Sequence, residues 1–207
     1  MRPWAYCSSR ICLRVLMLVA TTVSIVALSG CWVSSINPLY EDELFSKPDP
    51  DIVLDPRFEG TWSFKQDEDC LGVLTITAKE NVYHMTAALS SQCKSEEKPS
   101  KYEGHLVKLD THVFLDVGPE PNDVCEMCLP QHHILLARIE KGSFSLTPID
   151  DEWLKTSIGQ KTLTIQTLSG KPEILTASSR ALKEFVRKYA DDKSAFKPVP
   201  EFTYKRQ

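Results

Sequence analysis

The chain has 207 residues, with 24 Lys and Arg against 28 Asp and Glu, 25% charged residues and 42% hydrophobic residues. These fractions are typical of a globular domain and exclude a wholly disordered chain, a collagen-like fibre and a low-complexity sequence. The acidic balance argues against nucleic acid as a partner, because a surface that binds nucleic acid carries a basic patch.

The first thirty residues have the pattern of an export signal. Arg2, Arg10 and Arg14 precede an apolar run over residues 15–28, and no acidic residue occurs before Glu41. The run is shorter than the about 20 apolar residues that a membrane-spanning helix needs, and it has the length of a signal-peptide core. An ordinary cleaved signal peptide or an uncleaved anchor helix is the alternative.

The end of this signal, Leu28-Ser29-Gly30-Cys31, resembles the lipobox of bacterial lipoproteins: an aliphatic residue, two small residues and a cysteine. The resemblance implies that residues 1–30 are removed and that Cys31 takes up a diacylglycerol. It places the protein in the bacterial cell envelope, lipid-anchored and facing the periplasm. Trp32 stands where an aspartate would favour inner-membrane retention in enteric bacteria, which favours the outer membrane. Removal of residues 1–30 takes away three arginines and leaves a net charge of −7. An acidic protein is not attracted to an anionic membrane surface, so the expected anchor is the lipid.

Residues 31–54 are predicted to form a tether rich in proline and acidic residues, because Pro38, Pro48 and Pro50 interrupt a segment without periodicity. Its apolar stretch Asn37-Pro38-Leu39-Tyr40 either docks on the body or remains solvated.

Residues 55–177 show short runs with period-two alternation, which predict β-strands. The predicted strands cover residues 60–64, 72–78, 82–89, 102–109, 112–117, 133–139, 143–147, 162–168 and 173–176. Glu80-Asn81, Lys141-Gly142 and Ser169-Gly170 are typical of tight turns between them. The fold class is therefore mainly β, an antiparallel barrel or sandwich.

Two helices are expected beside the strands. Asp150 or Asp151 can cap a short one with Trp153, Leu154 and Ile158 on its apolar face. The second covers residues 178–196 and begins at Ser178 or Ser179. Its apolar stripe is formed by Leu182, Phe185, Val186 and Tyr189. Such a stripe favours an amphipathic C-terminal helix packed on the barrel wall over a helix that docks a partner. Residues 197–207 are predicted to be a tail.

Gly60-Thr61-Trp62 resembles the G-x-W signature of lipocalins, in which the tryptophan closes one barrel end over a short turn, here Asp55-Pro56-Arg57-Phe58. More segments are similar to a group of uncharacterised bacterial lipoproteins. These segments are Asn37-Pro38-Leu39-Tyr40, Asp55-Pro56, Phe114-Leu115-Asp116, Asp151-Glu152-Trp153-Leu154 and Ala190-Asp191-Asp192. The resemblance implies a lipid-anchored, barrel-like domain and supplies no activity.

Four cysteines remain after the signal and Cys31: Cys70, Cys93, Cys125 and Cys128. An even number in an exported protein predicts disulfides. If Glu80-Asn81 is a hairpin turn, residue 70 lies opposite about residue 91, which favours a Cys70–Cys93 bond and a small local ring between Cys125 and Cys128.

Cys125 and Cys128 also permit a metal or redox site. Together with His132 or His133 they offer ligands suited to zinc, although a fourth ligand is missing nearby. Leu129 stands where a haem-attachment motif needs histidine. His84, His105 and His112 are scattered on predicted strands and are interpreted as surface or core residues.

The sequence lacks a G-x-S-x-G elbow, a P-loop, an H-E-x-x-H motif and a dinucleotide-binding glycine pattern. We therefore expect no enzymatic activity and no cofactor. The first hypothesis is a binding or structural module for an unknown envelope protein; the alternative is a lipocalin-like carrier of a small apolar ligand. Six large side chains are expected to point inward and to fill the barrel, which favours the binding or structural module over the ligand carrier. These side chains are Trp62, Phe64, Tyr83, Met85, Phe114 and Phe144.

The disulfide prediction is tested by alkylating the native exported protein with and without reductant and weighing it by mass spectrometry. We expect two pairs of thiols to react only after reduction, and four free thiols in the unreduced protein would refute the pairing.

Overall fold

The computed structural model describes residues 32–41, 49–67, 70–89, 98–120, 131–199 and 202–207. In these ranges the chain forms twelve strands and two helices. They are β1 Ser34–Ser35, β2 Ile52–Val53, β3 Gly60–Asp67, β4 Cys70–Lys79, β5 Val82–Leu89, β6 Ser100–Leu109, β7 His112–Pro119, β8 His133–Glu140, β9 Ser143–Pro148, α1 Asp151–Gly159, β10 Thr167–Leu168, β11 Lys171–Leu175, α2 Ser179–Tyr189 and β12 Thr203–Arg206.

Eight of these strands form a closed antiparallel barrel. Around the ring the order is β6, β5, β4, β3, β12, β9, β8 and β7, and pairing between β6 and β7 closes it. The short strand β2 pairs with β6 beyond the region where β5 pairs with it. The prediction of a mainly β, antiparallel barrel is confirmed.

The two ends of the barrel differ in how the strands are connected. At one end, which we call the closed end, tight turns join neighbouring strands at Glu80, Asp110 and Lys141-Gly142. Glu80 and Asp110 adopt positive φ angles of 58° and 56°, and Gly142 adopts 85°. The turns predicted at Glu80-Asn81 and Lys141-Gly142 are thus confirmed. At the opposite end, which we call the open end, β3, β5 and β7 finish at residues 67, 89 and 119.

Aromatic side chains fill the closed half of the barrel. Phe58, Trp62, Tyr83 and Phe144 are fully buried there and meet edge to face at centroid distances of 4.8–5.1 Å. The Trp62 indole Nε1 donates to the carbonyl of Phe58 at 3.1 Å. The guanidinium of Arg206 lies 4.4 Å from the centre of the Trp62 ring, so it covers the indole as a cation over an aromatic face.

The outer face of strands β6, β7 and β8 is covered by a second hydrophobic layer. α2 buries Leu182, Phe185 and Val186 in it, as its periodicity predicted, and Ser178 caps the helix. Asp150 caps α1 by accepting a hydrogen bond from the Trp153 amide at 2.7 Å. Strand residues that face this layer are Val107, Leu109, Phe114, Ile134 and Leu136.

The segment predicted as a strand over residues 162–168 is mostly not a strand. The amides of Thr162 and Leu163 donate back to the carbonyl of Ser157 and so form the turn that ends α1 instead. Pairing begins only at Thr167–Leu168, which joins β11 in a small three-stranded sheet with β1.

The prediction of a tail over residues 197–207 is wrong. Residues Thr203–Arg206 form β12, which pairs with β9 on one side and with β3 on the other. The Tyr204 ring stacks on Phe144 at 4.4 Å with an interplanar angle of 11°. Backbone pairing to two neighbours makes this short polar strand part of the barrel wall.

The described parts of the predicted 31–54 tether also belong to the body. Ser34 and Ser35 are buried and pair with β11, and Leu39 is fully buried in the outer layer. The Leu39 amide donates to the buried carboxylate of Asp116, and Asn37 Nδ2 donates to the carbonyl of Ala177 at 2.9 Å. The chain therefore lies against the barrel from residue 33 onward in this region, rather than spanning free solvent.

A buried ion pair holds the second part of this segment against α2. The Lys183 ammonium lies 2.7 Å from Asp49 and 2.6 Å from Asp51, and Asp49 also accepts the amides of Glu41 and Asp51. Burial opposes ionisation of Asp49, but these hydrogen bonds outweigh it and lower the pKa of Asp49 below its ordinary value of 3.8. The ionised form is thus the one that the fold stabilises.

We expect Asp49→Asn to lower the free energy of unfolding at pH 7 by about 1.5–3 kcal/mol, the usual contribution of hydrogen bonds to a charged group. A carboxyl with a lowered pKa stabilises the fold above its unfolded pKa and loses this effect as the pH falls through its folded pKa. The difference between the variant and the wild type should therefore shrink below about pH 4.

Urea unfolding at pH 7 and at pH 3 measures this difference. Asp110→Asn is the matched control, because Asp110 forms an exposed pair with Arg187 at 3.0 Å, and exposed pairs contribute about 1 kcal/mol or less. An equal loss in both variants, or a difference that does not depend on pH, would contradict the assignment.

Candidate functional site

A cavity of about 480 Å³ occupies the open half of the barrel. Its floor is apolar and is formed by side chains from five strands, which lie directly above the aromatic cluster of the closed half. The floor residues are Leu74, Met85, Leu115, Leu135 and Leu146.

The barrel is hollow here because its inward side chains become smaller toward the open end. Along β5 the inward positions are Tyr83, Met85 and Ala87, in the order from the closed end to the open end. At the corresponding level of β4 the residue is Gly72. A Cβ atom at this position would lie 2.0 Å from the ring of Phe64, so only glycine leaves room for that ring. Phe64 is thereby held against the wall and lines the cavity instead of filling it.

Aromatic and polar side chains form the rim of the cavity. Trp32 contacts Phe202 edge to face at 4.8 Å and the His133 ring at 5.6 Å. Tyr102 and Tyr204 complete this ring of side chains. We call these five residues the rim; they come from the N-terminal segment, β6, β8 and the C-terminal strand region.

Among the described residues that line the cavity, Lys98 carries the one formal charge and none is a carboxylate. Burial holds the pKa of His133 below its ordinary value of 6.5, so its imidazole is neutral at pH 7. Burial, and to a smaller extent Tyr102, raises the pKa of Tyr204 to about 12, so its phenol stays protonated. As far as the described side chains define it, the interior is therefore uncharged, and the Lys98 ammonium stands at its opening.

Most of the cysteines singled out in the sequence fall outside the described residues: Cys31, Cys93, Cys125 and Cys128. Cys70 is the first residue of β4, at the open end. The β4–β5 register pairs Gly72 with Leu89, so its continuation would bring residue 91 opposite Cys70. The Cys70–Cys93 and Cys125–Cys128 bonds remain predictions.

The two histidines of the predicted metal alternative lie on opposite sides of the barrel wall. His133 lines the cavity and meets Trp32 edge to face. His132 Nδ1 lies 2.8 Å from the buried Asp116 carboxylate, in the outer layer. A metal site in this region would therefore have access to one of them and not to both.

A different group has the geometry of possible metal ligands. This group consists of His84, Glu103 and Glu120, whose side chains are half-buried. Each offers one ligand atom, and these three atoms lie within 4.8 Å of one another. His84 Nδ1 is 3.2 Å from Glu103, and Lys101 Nζ is 3.5 Å from Glu120. The contact of His84 with Glu103 and the ion pair of Lys101 with Glu120 account for this arrangement without a bound cation.

Sequence reasoning identified some residues of this region and missed others. Phe64 and Met85 were expected to fill the barrel and instead border the cavity. Phe114 was expected to point inward, but it packs in the outer layer, because Leu115 occupies the inward position of β7. The missed signal is the decrease in side-chain size along β5 from Tyr83 to Ala87.

Comparison of the chain with protein-family models, curated proteins and solved structures finds no match. Within the part of the chain that the structure describes, no helix is both long enough and apolar enough to cross a membrane.

Filling the cavity tests whether it admits an apolar molecule. We expect Ala87→Phe to weaken binding of the neutral fluorophore N-phenyl-1-naphthylamine by about tenfold or more, because the added ring occupies part of the cavity. A loss of about 1.4 kcal/mol in binding free energy is enough for a tenfold weaker affinity. Binding is measured by titrating residues 32–207 and following fluorescence.

Thr86→Phe adds the same ring on the exposed, outward face of the same strand and should leave binding unchanged. Loss of binding in both variants, or in neither, would contradict the location of the site.

Proposed function

We propose that this protein is a lipid-anchored bacterial envelope lipoprotein whose barrel binds one small apolar or amphiphilic molecule in its open half. The observation that carries the proposal is the cavity of about 480 Å³ with an apolar floor. This volume falls within the range of about 300–1,000 Å³ found for small-molecule sites, which are mostly apolar with a few polar groups.

The energetics of packing support an occupied cavity. A sealed void of this size in a protein core would cost roughly 10 kcal/mol, which is comparable to the whole stability of a typical domain. The space therefore holds solvent or a ligand. Apolar floor residues make poor partners for ordered water, because a buried water needs two to four polar groups. An apolar ligand satisfies this surface better.

The position of Lys98 narrows the chemical class of the ligand. It is the one charged residue among the described residues that line the cavity, and it is exposed at the opening. An amphiphile with an acidic end would place its apolar part on the floor and its acid beside the Lys98 ammonium. Neutral His133 and Tyr204 at the rim offer hydrogen bonds without adding charge.

The anchoring part of the proposal rests on the lipobox-like sequence before Cys31. Two or three acyl chains on one residue give stable membrane attachment, since each buried methylene contributes about 0.8 kcal/mol. We propose a non-enzymatic role at the periplasmic side of the envelope, with the outer membrane favoured by Trp32. The cavity favours a ligand carrier over the interaction module that the large aromatic residues had suggested.

The test is native mass spectrometry of the full protein extracted from bacterial membranes with detergent. We expect a covalent diacylglycerol adduct, and in addition a non-covalent mass of lipid size that leaves on activation. Ala87→Phe should lose the non-covalent mass, while Thr86→Phe should keep it. A clean apo mass in the wild type would overturn the carrier function and would favour an interaction module.

Cys31→Ala tests the anchor separately. We expect the variant to keep its signal peptide unprocessed and to lack the covalent adduct. Normal processing and membrane attachment of this variant would refute the lipoprotein assignment while leaving the cavity untouched.

A further inference from the structure

We propose that the open end of the barrel lies against the phospholipid bilayer that anchors the protein, so that the cavity exchanges its ligand directly with the membrane. This inference rests on the proposed acylation of Cys31. It names the surface that the rim contacts, which the proposed function leaves open.

The first observation is that Trp32, the residue that follows Cys31, lies at the rim. Trp32 lines the cavity mouth, Val33 is buried, and Ser34–Ser35 is fixed in β1 by pairing with β11. Cys31 is joined to Trp32 by one peptide bond, so their Cα atoms are about 3.8 Å apart. No spacer therefore separates the acylated residue from the rim, and the anchor holds the rim at the level of the lipid headgroups.

The second observation is the distribution of exposed large hydrophobic side chains among the described residues. Three of the five lie at the open end: Trp32 with 43% exposure, Leu71 with 50% and Tyr102 with 38%. Tryptophan and tyrosine favour the membrane–water interface, where the ring is buried and the polar atom stays hydrated. The anchor point and the exposed aromatic residues thus coincide at one end of the barrel.

The closed end carries no exposed tryptophan or tyrosine among the described residues. Its turns carry exposed charged residues, which are costly to press into lipid: Arg57, Lys79, Glu80, Asp110, Glu140 and Lys141. A barrel held by its rim would direct this charged end into the periplasm. An apolar molecule could then move between bilayer and cavity without crossing bulk water.

The experiment uses the full acylated protein, extracted from membranes and reconstituted into phosphatidylcholine vesicles with brominated acyl chains. Bromine quenches tryptophan that lies in or near the lipid. We expect clear quenching in the wild type and loss of most of it in Trp32→Phe. Trp153→Phe is the matched control, because Trp153 packs against Phe185 and Tyr189 in the outer layer, and it should leave the quenching intact.

A second measurement needs no variant. Exposed lysines of the wild type are acylated with a water-soluble ester, and the modified sites are quantified by mass spectrometry. We expect Lys98 at the open end to react several-fold less in vesicles than in the soluble 32–207 body. Lys141 at the closed end should react equally in both.

The outcomes separate the two proposals. An acylated protein in which Trp32 is not quenched and Lys98 reacts as fast as in the soluble body overturns the membrane-facing orientation and leaves the lipoprotein assignment standing. A protein without the acyl adduct overturns both the anchor and the orientation.

Discussion

Closure of the barrel depends on the backbone pairing of one four-residue strand. β12 pairs with β9 through Tyr204 and with β3 through Arg206, which also covers Trp62. Without it β3 and β9 would each present an unpaired edge, which proteins rarely leave exposed. The aromatic cluster of the closed half would lose the stacking of Tyr204 on Phe144. Both the packed half and the cavity therefore exist only because β12 occupies this gap.

The closed ring divides the interior into two parts with different tasks. Large aromatic side chains at the closed end supply the burial that stabilises the domain, since each contributes about 1.5–3 kcal/mol when fully buried. Small or wall-bound side chains at the open end leave space. The outer layer adds further burial outside β6, β7 and β8. Stability is thus obtained away from the cavity, which allows a hollow region in a barrel of eight strands.

The sequence predicted the features that local pattern determines. Period-two alternation located the barrel strands, turn residues located the hairpins at Glu80 and Lys141, and the stripe of Leu182, Phe185 and Val186 located α2. Prediction from the sequence failed where contacts between distant parts of the chain determine the structure. Phe114 lies in a strand buried on both faces, where alternation cannot separate inside from outside. β12 is short and polar, and only its two partner strands define it. For the site, the number of large side chains suggested a filled barrel, whereas the open space results from the order of their sizes along a strand, from Tyr83 through Met85 to Ala87.

The position of β12 near the end of the chain determines when during folding the barrel can close. Its contact with β3 joins Ser63 to Lys205, 142 positions apart. Contacts of such long sequence separation slow folding, because the loop entropy must be lost before the contact forms. The ring also cannot be completed until residue 206 has been synthesised. A nascent chain that lacks its final strand leaves β3 and β9 with unpaired edges, so closure of the barrel is among the last events of folding.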